Sequence, residues 1–312
     1  RPLWWSWGRF GIPHAELFVG AAQVVHGTNF VVPPTRHAAR IATVHDLTVL
    51  RFPQMCDGAT LAYPAFLRSA VKSGAFFHTP SRFVADELVE MLGVPRERVR
   101  AVHSGVPIRP VSEPGEPPPV LLPKGTQRYV LSVATAEPRK DLPGLVAAFD
   151  SIAGDRGDLA LVLAGRSGWG EADLGAALQG ARWASRIVRT GWVDSVGLAS
   201  LIASAAVLAY PSRYEGFGFP PLEAMAMGVP VVSTRAGAIP EVVGEAGVLV
   251  PVGDPEALAT ALAGVLDSPE RAQGLKDAGR KRAAAFSWSA CAEGLVSLYR
   301  DAIDDRDGAR TR

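Results

Sequence analysis

Glu215 and Glu223 stand with seven residues between them and bracket the stretch Gly216-Phe217-Gly218-Phe219-Pro220-Pro221. The apolar run Ala206-Val207-Leu208-Ala209-Tyr210 ahead of them reads as a buried strand. Prolines 220 and 221 suit the first turn of a helix, and Gly228 suits its end. Strand, glycine-rich loop and helix N-terminus together aim amide N–H groups and partial positive charge at a ligand. A carboxylate at each end of such a loop suits a ligand that brings hydroxyls as well as phosphates. A second group, Glu137-Pro138-Arg139-Lys140-Asp141, follows another apolar run. Its two adjacent cations could hold a diphosphate.

Six strands are expected to carry these loops: Tyr129–Val133, Ala160–Ala164, Ile187–Thr190, Val207–Tyr210, Pro230–Ser233 and Val248–Val250. Helical segments intervene near 141–153, 172–183, 195–204, 220–227 and 239–243. This alternation predicts a doubly wound parallel sheet of order 3-2-1-4-5-6, whose switch point lies between the first and fourth strands. Topology then sets Arg139 and Lys140 across a crevice from Glu215 and the helix beginning at 220. The run Gly165-Arg166-Ser167-Gly168-Trp169-Gly170 invites a dinucleotide reading. It lacks the G-x-G-x-x-G order and does not follow the first strand, so that reading is set aside.

In the front part, four short apolar runs end in His26, His45, His78 and His103, with helical segments at about 60–73 and 81–92. Parallel strands gather ligands at their carboxyl ends, where neutral imidazoles can bond sugar hydroxyls or phosphates. Trp4, Trp5, Trp7 and Phe10 read as core packing in preference to a membrane interface. Residues 111–127 hold five prolines and read as an extended connector. The tail carries helices at about 255–267 and 269–285, then one at 289–303 capped by Ser287 or Ser289, with Asp304–Arg312 expected to fray.

A length of 312 residues suits two domains, and 48% hydrophobic with 20% charged content excludes a disordered chain. Cys56 and Cys291 imply neither a disulfide framework nor a metal cluster, so a reducing cytoplasm is the expected compartment. No apolar run approaches a membrane span, and no signal-peptide pattern is visible. Residues 1–110 carry a net charge of +5 and residues 111–312 one of −4. The front half is therefore the one to meet an anionic surface or acceptor.

The string Pro-Ser-x-Tyr-Glu-Gly-Phe-Gly-x-Pro-x-Leu-Glu-Ala-Met-Ala-x-Gly-x-Pro-Val-Val, read from Pro211, resembles the E-x(7)-E motif of retaining, nucleotide-sugar-dependent glycosyltransferases of family 4. Glu-Pro-Arg-Lys-Asp is similar to the same family's Glu-Pro-Arg-Lys signature. The resemblance spans nearly the whole chain and is strongest from about 128 to 250. It implies an α/β GT-B fold: two Rossmann-like domains facing a cleft. Residues 1–110 would form the acceptor side, with helix 289–303 packing back on it, and 128–288 the nucleotide-sugar side. Measured against the family, the first domain lacks its opening strand and glycine-rich loop, and several dozen residues are expected to be missing.

By the same resemblance Lys140 binds the donor diphosphate and Glu223 the nucleotide ribose, while Glu215 holds the transferred sugar. His45, in Thr-Val-His-Asp-Leu, contacts that sugar, and Val193 lies by the nucleobase. Many members place a Gly-Arg where this chain has Ala134-Thr135, so the second phosphate cation is Arg139 or comes from elsewhere. Backbone amides of Gly216, Phe217, Gly218 and Phe219 complete the anion site, so neither a metal nor another cofactor is expected. The implied reaction moves a hexose, with GDP-mannose the first candidate donor, onto a glycan or lipid-linked acceptor in polysaccharide assembly. A peripheral contact at the inner face of the membrane fits the basic front half, and no nucleic acid partner is expected. The rivals are a GT-B-like epimerase or phosphorylase and a non-catalytic nucleotide-sugar-binding or assembly subunit.

Overall fold

Short apolar runs become the strands of two separate sheets, each parallel throughout. The computed structural model describes Trp7, residues 11–106 and residues 120–310. The chain divides into two units, residues 1–105 with 287–312, and residues 106–286. Trp4, Trp5, Phe10 and residues 111–119 of the expected connector lie outside the described residues.

The first unit runs α1 (Glu16–Val19), β1 (Val24–Gly27), β2 (Ala39–Thr43), α2 (Thr48–Arg51), α3 (Tyr63–Lys72), β3 (Phe76–Thr79), α4 (Arg82–Leu92) and β4 (Val99–Ala101). Its strands lie in the order β1-β2-β3-β4. Side chains alternate across the sheet. Ala42 and Phe77 therefore join Leu67 and Leu88 in one core, whereas Ile41 and Phe76 face the other way.

The second unit continues with β5 (Arg128–Val133), α5 (Leu142–Ile152), β6 (Leu159–Ala164), α6 (Glu171–Gly180), β7 (Ile187–Gly191), α7 (Ser195–Ala203) and β8 (Val207–Tyr210). It then adds α8 (Phe219–Ala226), β9 (Val231–Thr234), α9 (Ile239–Val243), β10 (Val248–Val250), α10 (Pro255–Leu266) and α11 (Pro269–Ala283). The order β10-β9-β8-β5-β6-β7 is the expected 3-2-1-4-5-6 with its direction of winding reversed at β5 and β8. Both faces are covered, as a parallel sheet requires. Leu131, Val162 and Leu208 meet Leu222 and Ile239 on one side, and Val130, Leu161 and Val207 meet Phe149 and Leu262 on the other. Within the stretch read as connector, Val120 and Leu122 pack against the first of these cores.

The last helix, α12 (Trp288–Arg310), belongs to the first unit. The Ser287 hydroxyl accepts the Ala290 N–H at 3.1 Å and so provides its cap. Leu298 and Ala302 cover Ala39, Ile41 and Phe76 on the second face of the sheet. The expected fraying from Asp304 is not seen among the described residues, where the helix runs on to Arg310 and charged residues have long-range partners. Arg306 donates to the carbonyls of Gln23 (3.1 Å) and His37 (2.7 Å), and Asp305 pairs with Arg98 at 2.9 Å. Among the described residues no helix is long and apolar enough to cross a membrane.

Candidate functional site

Adjacent strands β5 and β8 send their loops to one end of the second sheet. After β5 the chain passes through a short turn, Pro138–Lys140, and reaches Asp141 at φ +48°, a left-handed conformation uncommon for a residue with a side chain. The turn buries Lys140, which remains 8% exposed. Its ammonium donates to the Tyr210 hydroxyl at 2.8 Å and to Glu215 Oε1 at 2.5 Å. Arg139 donates through Nη1 to Glu215 Oε2 at 3.2 Å and through Nε to Glu137 Oε2 at 2.7 Å. The loops are also joined by the Arg213 N–H bonded to the Arg139 carbonyl (2.7 Å) and by an Arg213–Asp141 ion pair (3.1 Å).

Burial disfavours both charges of the central pair, but their neighbours outweigh it. Tyr210 and Glu215 hold the Lys140 ammonium above its ordinary pKa despite desolvation. Lys140 and Arg139 hold the Glu215 carboxyl below the usual carboxylate range despite complete burial. Burial and the Glu215 charge push the Tyr210 phenol up to about 12. Lys140 and Glu215 therefore stay ionised at neutral pH, and Tyr210 stays neutral.

Glu215 leads into the expected glycine-rich loop, in which Gly216, Phe217 and Gly218 are buried and Phe219 is 37% exposed. Gly218 caps α8, with prolines in the first turn. The Phe217 side chain turns into the core beside Phe286, so only its backbone serves the loop's outer side. Glu223, on the second turn of α8, is 4% exposed. Gly237 fixes Glu215 from behind: a Cβ there would stand 2.2 Å from the Glu215 carbonyl oxygen, which also accepts the Ala238 N–H at 2.9 Å. Val193, expected beside a nucleobase, packs against the core, while its neighbour Trp192 is 64% exposed beneath the Arg166 guanidinium.

Three features went unread in the sequence. Glu137 and Tyr210 have no assigned role in it, yet they hold Arg139 and Lys140. The loop Gly165–Gly170, set aside as a dinucleotide motif, underlies the cationic turn. Gly165, at φ +149°, lies where a Cβ would stand 2.0 Å from the Ala134 oxygen. The Ala136 N–H donates to the Arg166 carbonyl (3.0 Å), and the Gly170 N–H donates to the Ala136 carbonyl (2.8 Å). Glycines clustered after a strand were the available signal of close backbone approach.

The histidines of the first unit divide in two. His26 and His78 are consumed in a hydrogen-bonded chain, Tyr299–His26–Thr43–His78, that ends at the Val102 carbonyl. A carbonyl only accepts, so His78 Nε2 must carry the proton and His78 Nδ1 must accept from the Thr43 hydroxyl. Thr43, with one proton given away, accepts from His26 Nε2, and the Tyr299 hydroxyl donates to His26 Nδ1. Both imidazoles are then neutral. Burial, with His78 nearby, lowers the His26 pKa to about 4, and burial lowers that of His78 also. His45 is exposed at the end of β2, where its Nε2 donates to the Thr28 carbonyl at 2.9 Å and its ring meets Phe30 edge-on.

Two Rossmann-like domains with parallel sheets, one of which brings paired cations beside a strand–loop–helix turn, define a glycosyltransferase of the GT-B fold. Residues 127–268 match the sequence profile of the glycosyl transferases group 1. Over 288 residues the chain is 30% identical to the O-antigen chain mannosyltransferase B of Escherichia coli, covering 89% of this chain and 74% of that one. Over 110 residues it is 49% identical to the MMP alpha-(1->4)-mannosyltransferase of Mycolicibacterium hassiacum, covering 34% of this chain and 27% of that one. The sucrose-phosphate synthase of Thermosynechococcus elongatus superposes with a TM-score of 0.74 at 25% identity, over 91% of this chain and 74% of that one. The chain belongs to the group 1 glycosyltransferases.

Proposed function

We propose that this protein transfers a hexose, with mannose the first candidate, from a nucleoside diphosphate donor to a glycan or lipid-linked acceptor, with retention at the anomeric carbon. The observation that carries the reading is the meeting of Lys140 and Arg139 from the β5 loop with Glu215 from the β8 loop, at 2.5 and 3.2 Å. Paired cations beside a helix N-terminus suit a leaving diphosphate, whose charge develops as the glycosidic bond breaks. Mannose is favoured because two of the relatives are named mannosyltransferases.

In this scheme the acceptor oxygen bonds to the anomeric carbon while the bond from that carbon to the β-phosphate oxygen breaks. The electron pair stays on the phosphate, which takes the acceptor's proton. Lys140, Arg139 and the amides of Gly216–Phe219 neutralise the departing charge without a requirement for metal. Glu215 faces the transferred sugar, Glu223 the ribose diol and Val193 the nucleobase; His45 offers Nδ1 to a sugar hydroxyl. A cytoplasmic location with peripheral membrane contact accords with the charge of +5 on residues 1–110.

The test is to incubate the protein with GDP-mannose or UDP-glucose and an alkyl α-mannoside, then read the product linkage by NMR. An α-linked product formed in the presence of a chelator is expected. A β-linked product, or loss of transfer on chelation, would contradict the retaining, metal-independent scheme.

A further inference from the structure

The cations of the candidate site are already neutralised by the chain itself. Lys140 and Arg139 bring two positive charges, and Glu215 and Glu137 bring two negative charges within hydrogen-bond reach of them. A cluster that sums to zero attracts a diphosphate weakly, however well its donors are placed. The two carboxylates are not equivalent. Glu215 is shared, with Oε1 on Lys140 and Oε2 on Arg139. Each cation also has a partner that the other lacks: the Tyr210 hydroxyl for Lys140 at 2.8 Å, and Glu137 for Arg139 at 2.7 Å.

We propose that Glu215 is an exchangeable counter-ion, displaced from Lys140 and Arg139 by the donor diphosphate, while Tyr210 and Glu137 are positioning residues that keep the cations in place during the exchange. This rests on the donor-site reading above and adds a regulation to it. Once released, the Glu215 carboxylate is free to face the sugar, so the charge that orients the sugar appears only after the diphosphate is seated. The site thereby ranks its ligands. A nucleoside without phosphates gains nothing from the exchange, and an anion too small to meet both cations cannot complete it.

Removing the Glu215 charge should therefore tighten diphosphate binding while it impairs transfer. The test is calorimetric titration of GDP and guanosine, with UDP and uridine in parallel, into the wild-type protein, Glu215→Gln and Lys140→Met. The proposal expects Glu215→Gln to bind one of the diphosphates about tenfold more tightly than wild type, since a competing charge at contact distance is gone. Nucleoside binding should not change, and Lys140→Met should lose the diphosphate. Because Glu215→Gln leaves Lys140 buried with less compensation, the rise in melting temperature at saturating diphosphate serves as a second reading. That rise should be larger for the variant than for wild type.

If Glu215→Gln binds no more tightly than wild type while Lys140→Met loses binding, the exchange is wrong and the donor site stands. If wild type and both variants bind the diphosphates no better than the nucleosides, the donor-site reading fails and takes the exchange with it.

Discussion

Polar residues collect at the carboxyl ends of the strands in both units, yet the two collections behave in opposite ways. In the second unit the central groups are ionised, opposite in sign and drawn from loops 75 residues apart, as Lys140 and Glu215 illustrate. Their bonds can be traded for bonds to a charged ligand. In the first unit the imidazoles of His26 and His78 are neutral and locked into one hydrogen-bond direction by the Val102 carbonyl. Every proton in that chain is already committed within the protein, and its outer end is Tyr299 of the last helix. Position at a strand end thus marks a place where a ligand could bind; the partners there decide whether one can.

The sharpest way to break this contrast is to remove the central cation. Lys140→Ala should lower transfer by about 10²- to 10³-fold, the scale of losing a preorganised charge on a leaving group. A transfer assay beside circular dichroism would separate that loss from unfolding. If activity survives, the ionised cluster is structural after all.

A second route is pH. The His26 imidazole titrates near 4 in the folded protein against an ordinary value of 6.5, so between these values the unfolded chain binds more protons than the folded one. Stability should be complete above about pH 6.5, fall as pH drops towards 4 and level off below it. The loss, after allowance for the partial exposure of the ring, is about 2 kcal/mol. Urea unfolding of wild type and His26→Gln across that range would measure it. The variant should show a shallower slope.

Two smaller changes sharpen the same distinction. Glu223→Ala should raise the donor KM about tenfold, the loss of a charged hydrogen bond to a diol, with little change in unfolding midpoint beyond that of a buried truncation. Tyr299→Phe should do the reverse. It costs about 1 kcal/mol of stability by leaving His26 Nδ1 unpaired, and donor binding measured by calorimetry should not move.

Much of this arrangement was legible in the sequence. Unbroken apolar runs such as Leu159–Ala164 must be buried on both faces, and their alternation with helices left little choice of sheet. The order expected for the second sheet then sets Arg139 and Lys140 beside Glu215, as the structure has them. What escaped was the identity of partners. Nothing local to Glu137 or Tyr210 says which cation each will hold, because the pairing depends on how a three-residue turn is set against a strand end. Gly165 announced a close approach without naming the backbone it approaches. His26 and His78 resembled ligand-binding residues because their consuming partner, Tyr299, lies 273 positions from His26. The last helix persisted beyond Asp304 for the same reason, since Arg306 bonds to carbonyls at the other end of the chain.

The most direct measurement is a parallel calorimetric titration of GDP-mannose, with UDP-glucose beside it, into wild type, Lys140→Ala and His26→Gln at a pH and temperature where all three are folded. Saturable binding of one donor to wild type and to His26→Gln with equal affinity is expected, and none to Lys140→Ala. Binding that survives in Lys140→Ala, or that vanishes in folded His26→Gln, would contradict the donor-site reading.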